Sequence, residues 1–238
     1  MEGSGERAEV DPEIAGRVLD EVGRAAAHDL LEPLAATIGF LRAIQDGNVG
    51  RLDPEVREFV VIALANAERT QKRMRALASW VRLWRRPLAR ARVDLAAACR
   101  RALAGCAREL DACAATARVG VLPEVVGDEP LLVELFRHLL ENSIAYRSDR
   151  PVSISVTGVV EGDSVRVTFA DDGLGIDPRF ADRVFTLFAR LYPYDRIPGE
   201  GVGLAVARVI VERHGGSIHA VARERGAAIE FALPRGPE

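Results

Sequence analysis

Residues 26–34 read Ala26-Ala27-His28-Asp29-Leu30-Leu31-Glu32-Pro33-Leu34, a histidine followed at once by an acid within an apolar periodicity. Val18, Val22, Leu30, Leu34, Ile38 and Leu41 recur at helical spacing, so a helix is expected. On that helix His28 and Leu30 lie about 200° apart, which turns Leu30 inward and His28 outward. An outward histidine beside a carboxylate can be a nucleophile with its base adjacent. Pro33 has no N–H to offer the carbonyl of Asp29, so a bend is expected there. Taken alone, the same residues also fit an ordinary surface histidine, and the rest of the chain has to decide.

Working outward, the first helix is expected from about Pro12 to Gln45, with Asp11 as its cap. Residues 1–11, rich in Gly and Glu, read as a flexible N-terminal tail. Asp46-Gly47-Asn48-Val49-Gly50 breaks the helix, and Asp53-Pro54 starts a second one. That helix carries a heptad: Val56, Val60, Ala63, Ala67, Thr70, Met74, Leu77, Val81 and Trp84. Two long helices joined by a short turn make a hairpin, whose remaining apolar faces need cover. Dimerisation into a four-helix bundle supplies it; packing on the protein's own second half is the alternative. Arg69, Lys72, Arg73, Arg75, Arg82, Arg85 and Arg86 crowd the end of the second helix, and a solvated face explains them by default. Trp80 and Trp84, one turn apart, are expected at a domain junction. Pro87 ends the helix, and residues 88–92 read as a linker.

Composition narrows the classes. The 238 residues suit one large domain or two small ones, and 48% hydrophobic residues are enough for a packed core. A net charge of −3 gives no general pull toward nucleic acid or an acidic membrane. No apolar run reaches the roughly 18 residues of a membrane span, and a cytoplasmic protein with no membrane segment of its own is expected. Cys99, Cys106 and Cys113 recur at spacings of seven. On one helix they would stack along one face as small core residues, with poor geometry for zinc and none for a disulfide.

From Val93 onward the pattern changes. Helices are expected at residues 95–111, 130–146, 178–190 and 202–214, strands at 117–121, 152–160, 164–170, 217–222 and 227–233, and a strand-turn at 122–128. Interleaved helices and strands around one mixed sheet make this half α/β sandwich-like. The whole is therefore α plus α/β. Its divisions are the tail 1–11, the helical hairpin 12–90 and the α/β domain 91–238.

Four constellations in the second half follow in a fixed order. They are His138-Leu139-Leu140-Glu141-Asn142-Ser143-Ile144-Ala145-Tyr146, Asp171-Asp172-Gly173-Leu174-Gly175-Ile176, Arg183–Leu191, and Gly199-Glu200-Gly201-Val202-Gly203-Leu204. The last opens a helix, and side-chain-free backbone at a helix N-terminus makes a phosphate cradle. One such motif is weak; four in this order are strong. With His-Asp-Leu-Leu-Glu-Pro-Leu upstream, the chain resembles the sensor histidine kinases of two-component systems, in particular the phytochrome-like group. Their helical hairpin dimerises and accepts the phosphoryl group, and their ATP-binding domain has the Bergerat fold shared with gyrase and mismatch-repair ATPases.

The resemblance implies roles. His28 attacks the γ-phosphate of ATP and Asp29 accepts its proton. Asn142 ligates Mg2+, and Asp171 accepts a hydrogen bond from the adenine amino group. Tyr146, Gly173, Gly175, Arg190, Gly199, Gly201, Gly203 and Leu204 complete the nucleotide site, with residues 192–198 as a short lid. The partners implied are a second copy of the chain and the receiver domain of a response regulator. Three positions depart from the pattern: Ala145 replaces a phosphate-contacting lysine, His138 replaces an asparagine, and Glu32 replaces the Thr or Asn that supports phosphatase activity. Arg147 or Arg190 could supply the missing cation. The competing readings are a phosphotransfer scaffold that relays phosphate without ATP and an ATPase of gyrase type. The latter needs a glutamate where His138 stands.

Overall fold

The computed structural model describes residues 23, 29–48, 50, 52–194, 196–197 and 199–236. The tail, most of the first helix before Leu31 and His28 itself lie outside the described residues. The chain divides into two compact units, Met1–Arg85 and Arg86–Glu238.

In the first unit, α1 (Leu31–Gln45) and α2 (Pro54–Arg85) form the expected hairpin. The pairs Arg42–Glu68, at 2.6 Å, and Gly23 against Val81 fix an antiparallel register. Regular α1 begins only at Leu31, after a widened turn at Asp29 and Leu30. The cause is Pro33: the carbonyl of Asp29 has no donor four residues on, and the next bond, Leu34 N–H to Leu30 O, is long at 3.4 Å. Leu30 does not turn inward as expected. It is 49% exposed, because the widened turn rotates it off the stripe that buries Ile38.

The heptad on α2 also shifts. Leu64, Ala78 and Val81 are buried, with Val60, Ala67, Gln71 and Met74 half-buried between them. The steps still alternate four and three, but the second position of each heptad is Leu64, Gln71 and Ala78, one residue past Ala63, Thr70 and Leu77. A second stripe, Val56, Phe59 and Ala63, stays exposed. Trp80 and Trp84 pack edge to face at 6.0 Å.

In the second unit, a five-stranded sheet of order β2-β4-β5-β7-β6 is built from β2 (Thr116–Val119), β4 (Ser153–Glu161), β5 (Ser164–Asp171), β6 (Ser217–Ala222) and β7 (Ala227–Pro234). β2 and β4 run parallel and the remaining pairs are antiparallel. Alternation along β5 points Val165, Val167 and Phe169 inward and leaves Arg166 exposed. Against that face pack α3 (Leu95–Gly105), α5 (Glu129–Ala145) and α6 (Gly203–Arg213), giving a helix layer on a sheet layer. Phe136 of α5 meets Phe231 of β7 edge to face at 5.9 Å. Asp94 and Asp128 cap α3 and α5, accepting from the N–H of Ala97 and Leu131.

Three expectations are corrected. Residues 91 and 92, expected in the linker, instead open strand β1 (Ala91–Asp94), paired antiparallel with β3 (Glu124–Gly127). The helix expected at 95–111 breaks at Cys106, beside helix-weakening Gly105, into α3 and the short α4 (Ala107–Ala112). The three cysteines thus do not share one helix. Cys99 and Cys106 are buried and Cys113 lies past the end of α4; burial pushes the Cys99 thiol up to about 12. The helix expected at 178–190 is absent: single turns at Pro178–Phe180 and Arg183–Phe185 are followed by extended Thr186 and by Phe188 at φ +64°. The chain turns back there because the Phe188 N–H donates to Gly201 O, a tertiary bond that replaces the helical one.

Candidate nucleotide site

One face of α5 supplies the first wall of the site. His138, Glu141, Asn142, Ala145 and Tyr146 stand three or four residues apart and all line one cavity of about 310 Å³. The opposite wall is Ala189, Arg190, Leu191 and the turn Gly199–Leu204, which leads into the N-terminus of α6. Of the expected residues, the fold therefore brings Asn142, Tyr146, Arg190, Gly199, Gly201, Gly203 and Leu204 together. Glycine is needed at 201: its φ is +68°, and a Cβ there would stand 2.5 Å from the carbonyl of Ala189.

Asp171 and Gly173 are not on this wall. Asp171 closes β5, and its carboxylate accepts from Ser143 Oγ at 2.7 Å and from the Gly173 N–H at 2.9 Å. A Cβ at Gly173 would stand 2.6 Å from the Tyr146 carbonyl, and the Leu174 N–H donates to that same carbonyl. This loop therefore braces the end of α5. Gly175 lines an adjoining cavity of about 450 Å³, and Ile176 and Leu191 face both. Asp29 lies in the other unit.

Arg190 is the hub of the loop that follows. Its Nε donates to Tyr192 O at 3.2 Å, Nη2 donates to Ile197 O, and the guanidinium lies 5.2 Å from the Tyr194 ring centre. Tyr192 in turn packs on Tyr146 at 5.9 Å. Nη1 of Arg190 is buried with no hydrogen-bond partner. A buried donor left unmade costs about 1–3 kcal/mol, so an acceptor is wanted there. Arg147 instead donates to the carbonyl of Ile144 and lines a different cavity with Arg150 and Arg196.

Two cavity residues escaped the sequence reading in their role. His138 lies between Glu141, 3.3 Å from Nδ1, and Glu134, 3.6 Å from Nε2. Burial disfavours its charge, but the two carboxylates outweigh that and raise its pKa; both glutamates are correspondingly lowered. The spacing of −4 and −1 from Asn142 was the signal available in the sequence. Burial raises the Tyr146 hydroxyl above its ordinary value. Among the described residues no cluster of three His, Cys, Asp or Glu forms a metal cage, and no helix is long and apolar enough to cross a membrane.

Comparison with known proteins bears on this arrangement. Residues 127–237 match the family of histidine kinase-, DNA gyrase B-, and HSP90-like ATPases. The phytochrome-like protein Cph1 of Synechocystis is 27% identical over 89% of this chain, which spans 28% of Cph1. The signal transduction histidine-protein kinase BaeS of Escherichia coli is 34% identical over 87% of this chain and 45% of its own. The structure of the mycobacterial sensor histidine kinase MprB superposes with a TM-score of 0.56 at 26% identity, over 63% of this chain and 100% of that one. With the cavity between α5 and the glycine turn, these matches make residues 127–237 similar to the ATP-binding domain of histidine kinase-, DNA gyrase B- and HSP90-like ATPases, and the longer chain similar to two-component sensor histidine kinases.

Proposed function

We propose that the chain is an ATP-dependent protein-histidine kinase that phosphorylates itself on His28 and passes the group to an aspartate of a response-regulator receiver domain. The observation that carries this reading is Arg190 Nη1, a buried donor without an acceptor on the wall of a cavity closed by the Gly199–Gly203 turn. A triphosphate supplies the acceptor, and the N-terminus of α6 favours its charge. Asn142 offers a neutral amide oxygen on the facing α5 wall, which suits Mg2+ held largely by phosphate oxygens and water. Bound there, Mg2+ would neutralise charge on the phosphates. Asp171 belongs to the adenine end in this reading, with one oxygen on Ser143 and the other on Gly173, and its lone pairs leave room for a further donor.

Phosphoryl transfer then depends on positioning and charge neutralisation. A ring nitrogen of His28 attacks the γ-phosphorus and the bond to the bridging oxygen of ADP breaks. The proton of the other ring nitrogen passes to Asp29. In the second step an aspartate oxygen of the receiver attacks, the phosphorus–nitrogen bond breaks, and the proton held by Asp29 returns to the ring, restoring the imidazole. The hairpin joins a second copy through the exposed stripe of Val56 and Phe59, forming a four-helix bundle. We assign the phosphoacceptor hairpin to residues 12–90, the ATP-binding domain to 91–238, and the chain to the phytochrome-like group.

Incubation with Mg-ATP should place acid-labile phosphate on the wild type and none on His28→Ala. Equal labelling of both rejects the assignment of His28. A relay that accepts phosphate from another protein predicts no affinity for ATP, so a nucleotide titration separates the two readings.

A further inference from the structure

The two helices that border the cavity meet again at their far ends, away from the nucleotide. There the buried Asp128, 1% exposed, and the buried His214 form a hub that nucleotide chemistry does not use. One Asp128 oxygen accepts from the Leu131 N–H that opens α5, and the other accepts from the Ala89 N–H at 3.1 Å. Nη2 of Arg86 adds a third donor at 3.3 Å. The Asp128 N–H donates to His214 Nε2 at 2.9 Å, and His214 Nδ1 lies 2.7 Å from the Ile210 carbonyl at the end of α6. Both bonds are made only by neutral imidazole with its proton on Nδ1. Arg213 closes the ring by donating to the carbonyl of Arg86.

Arg86–Ala89 is the stretch by which the chain leaves α2, whose last residue is Arg85. A carboxylate buried to this degree is costly unless its lone pairs are filled. Here the donors come from three separate segments, so moving one of them disturbs the other two. The segment 86–89, the N-terminus of the helix carrying Asn142, and the C-terminus of the helix opened by Gly203 are thereby joined.

We propose that Asp128 and His214 are positioning residues for phosphoryl transfer, holding the segment Arg86–Ala89 to the rear ends of both nucleotide-site helices so that its position and nucleotide occupancy are coupled. The inference rests on the kinase reading. Coupling of this kind is reciprocal and typically at least about fivefold.

The test uses the full chain with a non-hydrolysable ATP analogue, read by hydrogen exchange. Binding should protect the cavity peptides and, by roughly fivefold, the amides of 86–90 and 128–132. In Arg86→Ala, that distal protection should fall about fivefold and analogue affinity by no more than the same factor, while autophosphorylation at saturating ATP falls about fivefold, and Arg86→Lys should recover most of that rate. Protection of the cavity without change at 86–90 and 128–132 overturns the coupling, as does an Arg86→Ala chain that labels at the wild-type rate. Distal protection kept in Arg86→Ala despite a lower labelling rate means a structural role only, which also overturns it. If the analogue protects no cavity peptide in the wild type, the nucleotide reading itself fails, and the coupling with it.

Discussion

Phe59 in the hairpin and Phe136 in the nucleotide-binding unit both sit on amphipathic helices, yet Phe59 is 67% exposed and Phe136 is fully buried. The difference runs through both units. Around Phe136, α5 turns Leu132, Leu135, Leu139 and Leu140 into a core that the sheet completes within the same chain. Around Phe59, the exposed Val56 and Ile62 extend an apolar surface that α1 does not cover, and Phe40 on α1 is exposed as well. A sheet covered by helices can close its own core, whereas a two-helix hairpin has more apolar face than one seam can hide. The α/β unit is thus self-sufficient in burial, whereas the hairpin unit leaves apolar surface uncovered.

The sharpest way to break this contrast is Phe136→Ala. It should cost about 3–5 kcal/mol, read as a lower denaturation midpoint of the second unit. A loss below about 1 kcal/mol would mean that this core is not closed.

Gly201→Ala should come next. Positive φ costs about 1–2 kcal/mol for a residue with a Cβ, and the clash with the Ala189 carbonyl displaces the turn that accepts from Phe188. Affinity for an ATP analogue, measured by calorimetry, should fall about tenfold, with the core left folded. Unchanged affinity would remove the turn from the binding site.

Acidity gives a smaller effect with opposite signs inside the second unit. The His214 pKa is lowered, chiefly by burial, with its bond to the Ile210 carbonyl and the nearby Asp128 opposing and Arg213 and Arg90 assisting. Its contribution to stability is therefore complete above the unfolded value of 6.5 and is lost as pH falls below it. The His138 pKa is raised by Glu134 and Glu141 against burial, so its contribution is complete below 6.5 and is lost as pH rises through the raised value. Urea denaturation across neutral pH should show less loss on the acid side in His214→Gln and less on the alkaline side in His138→Gln. Profiles parallel to wild type would mean that neither ring titrates as its contacts dictate.

The smallest stability change should be that of Phe59→Ala, within about 0.5 kcal/mol for the dilute chain. The same substitution should weaken self-association in sedimentation. A stability loss as large as that of Phe136→Ala would erase the contrast between the units.

Much of this was legible in the residues. The four-three spacing on α2, the caps at Asp94 and Asp128, and the glycine run before α6 are local signals that local geometry honours. The failures have a common cause. The stretch 178–190 has helical spacing, but the Phe188 N–H found a better partner in Gly201. Residues 91 and 92 look like linker because the strand they open pairs with the distant Glu124–Gly127. Ser143 and Asp171 are 28 residues apart, and Asp128 and His214 are 86 apart; neither pair leaves a mark in any local window.

The sequence by itself determined the periodicities, the breaks, and the order of the nucleotide-binding motifs, because each follows from steric and hydrogen-bonding preferences of residues a few positions apart. Tertiary structure alone decided which of two stripes on α2 became the seam, that Asp171 braces the end of α5, that Arg190 turns toward the carbonyls of Tyr192 and Ile197 with one buried donor unmade, and that Asp128 and His214 join three distant segments. Those outcomes depend on which buried polar groups find partners once the layers pack, and burial exists only when the whole chain has come together.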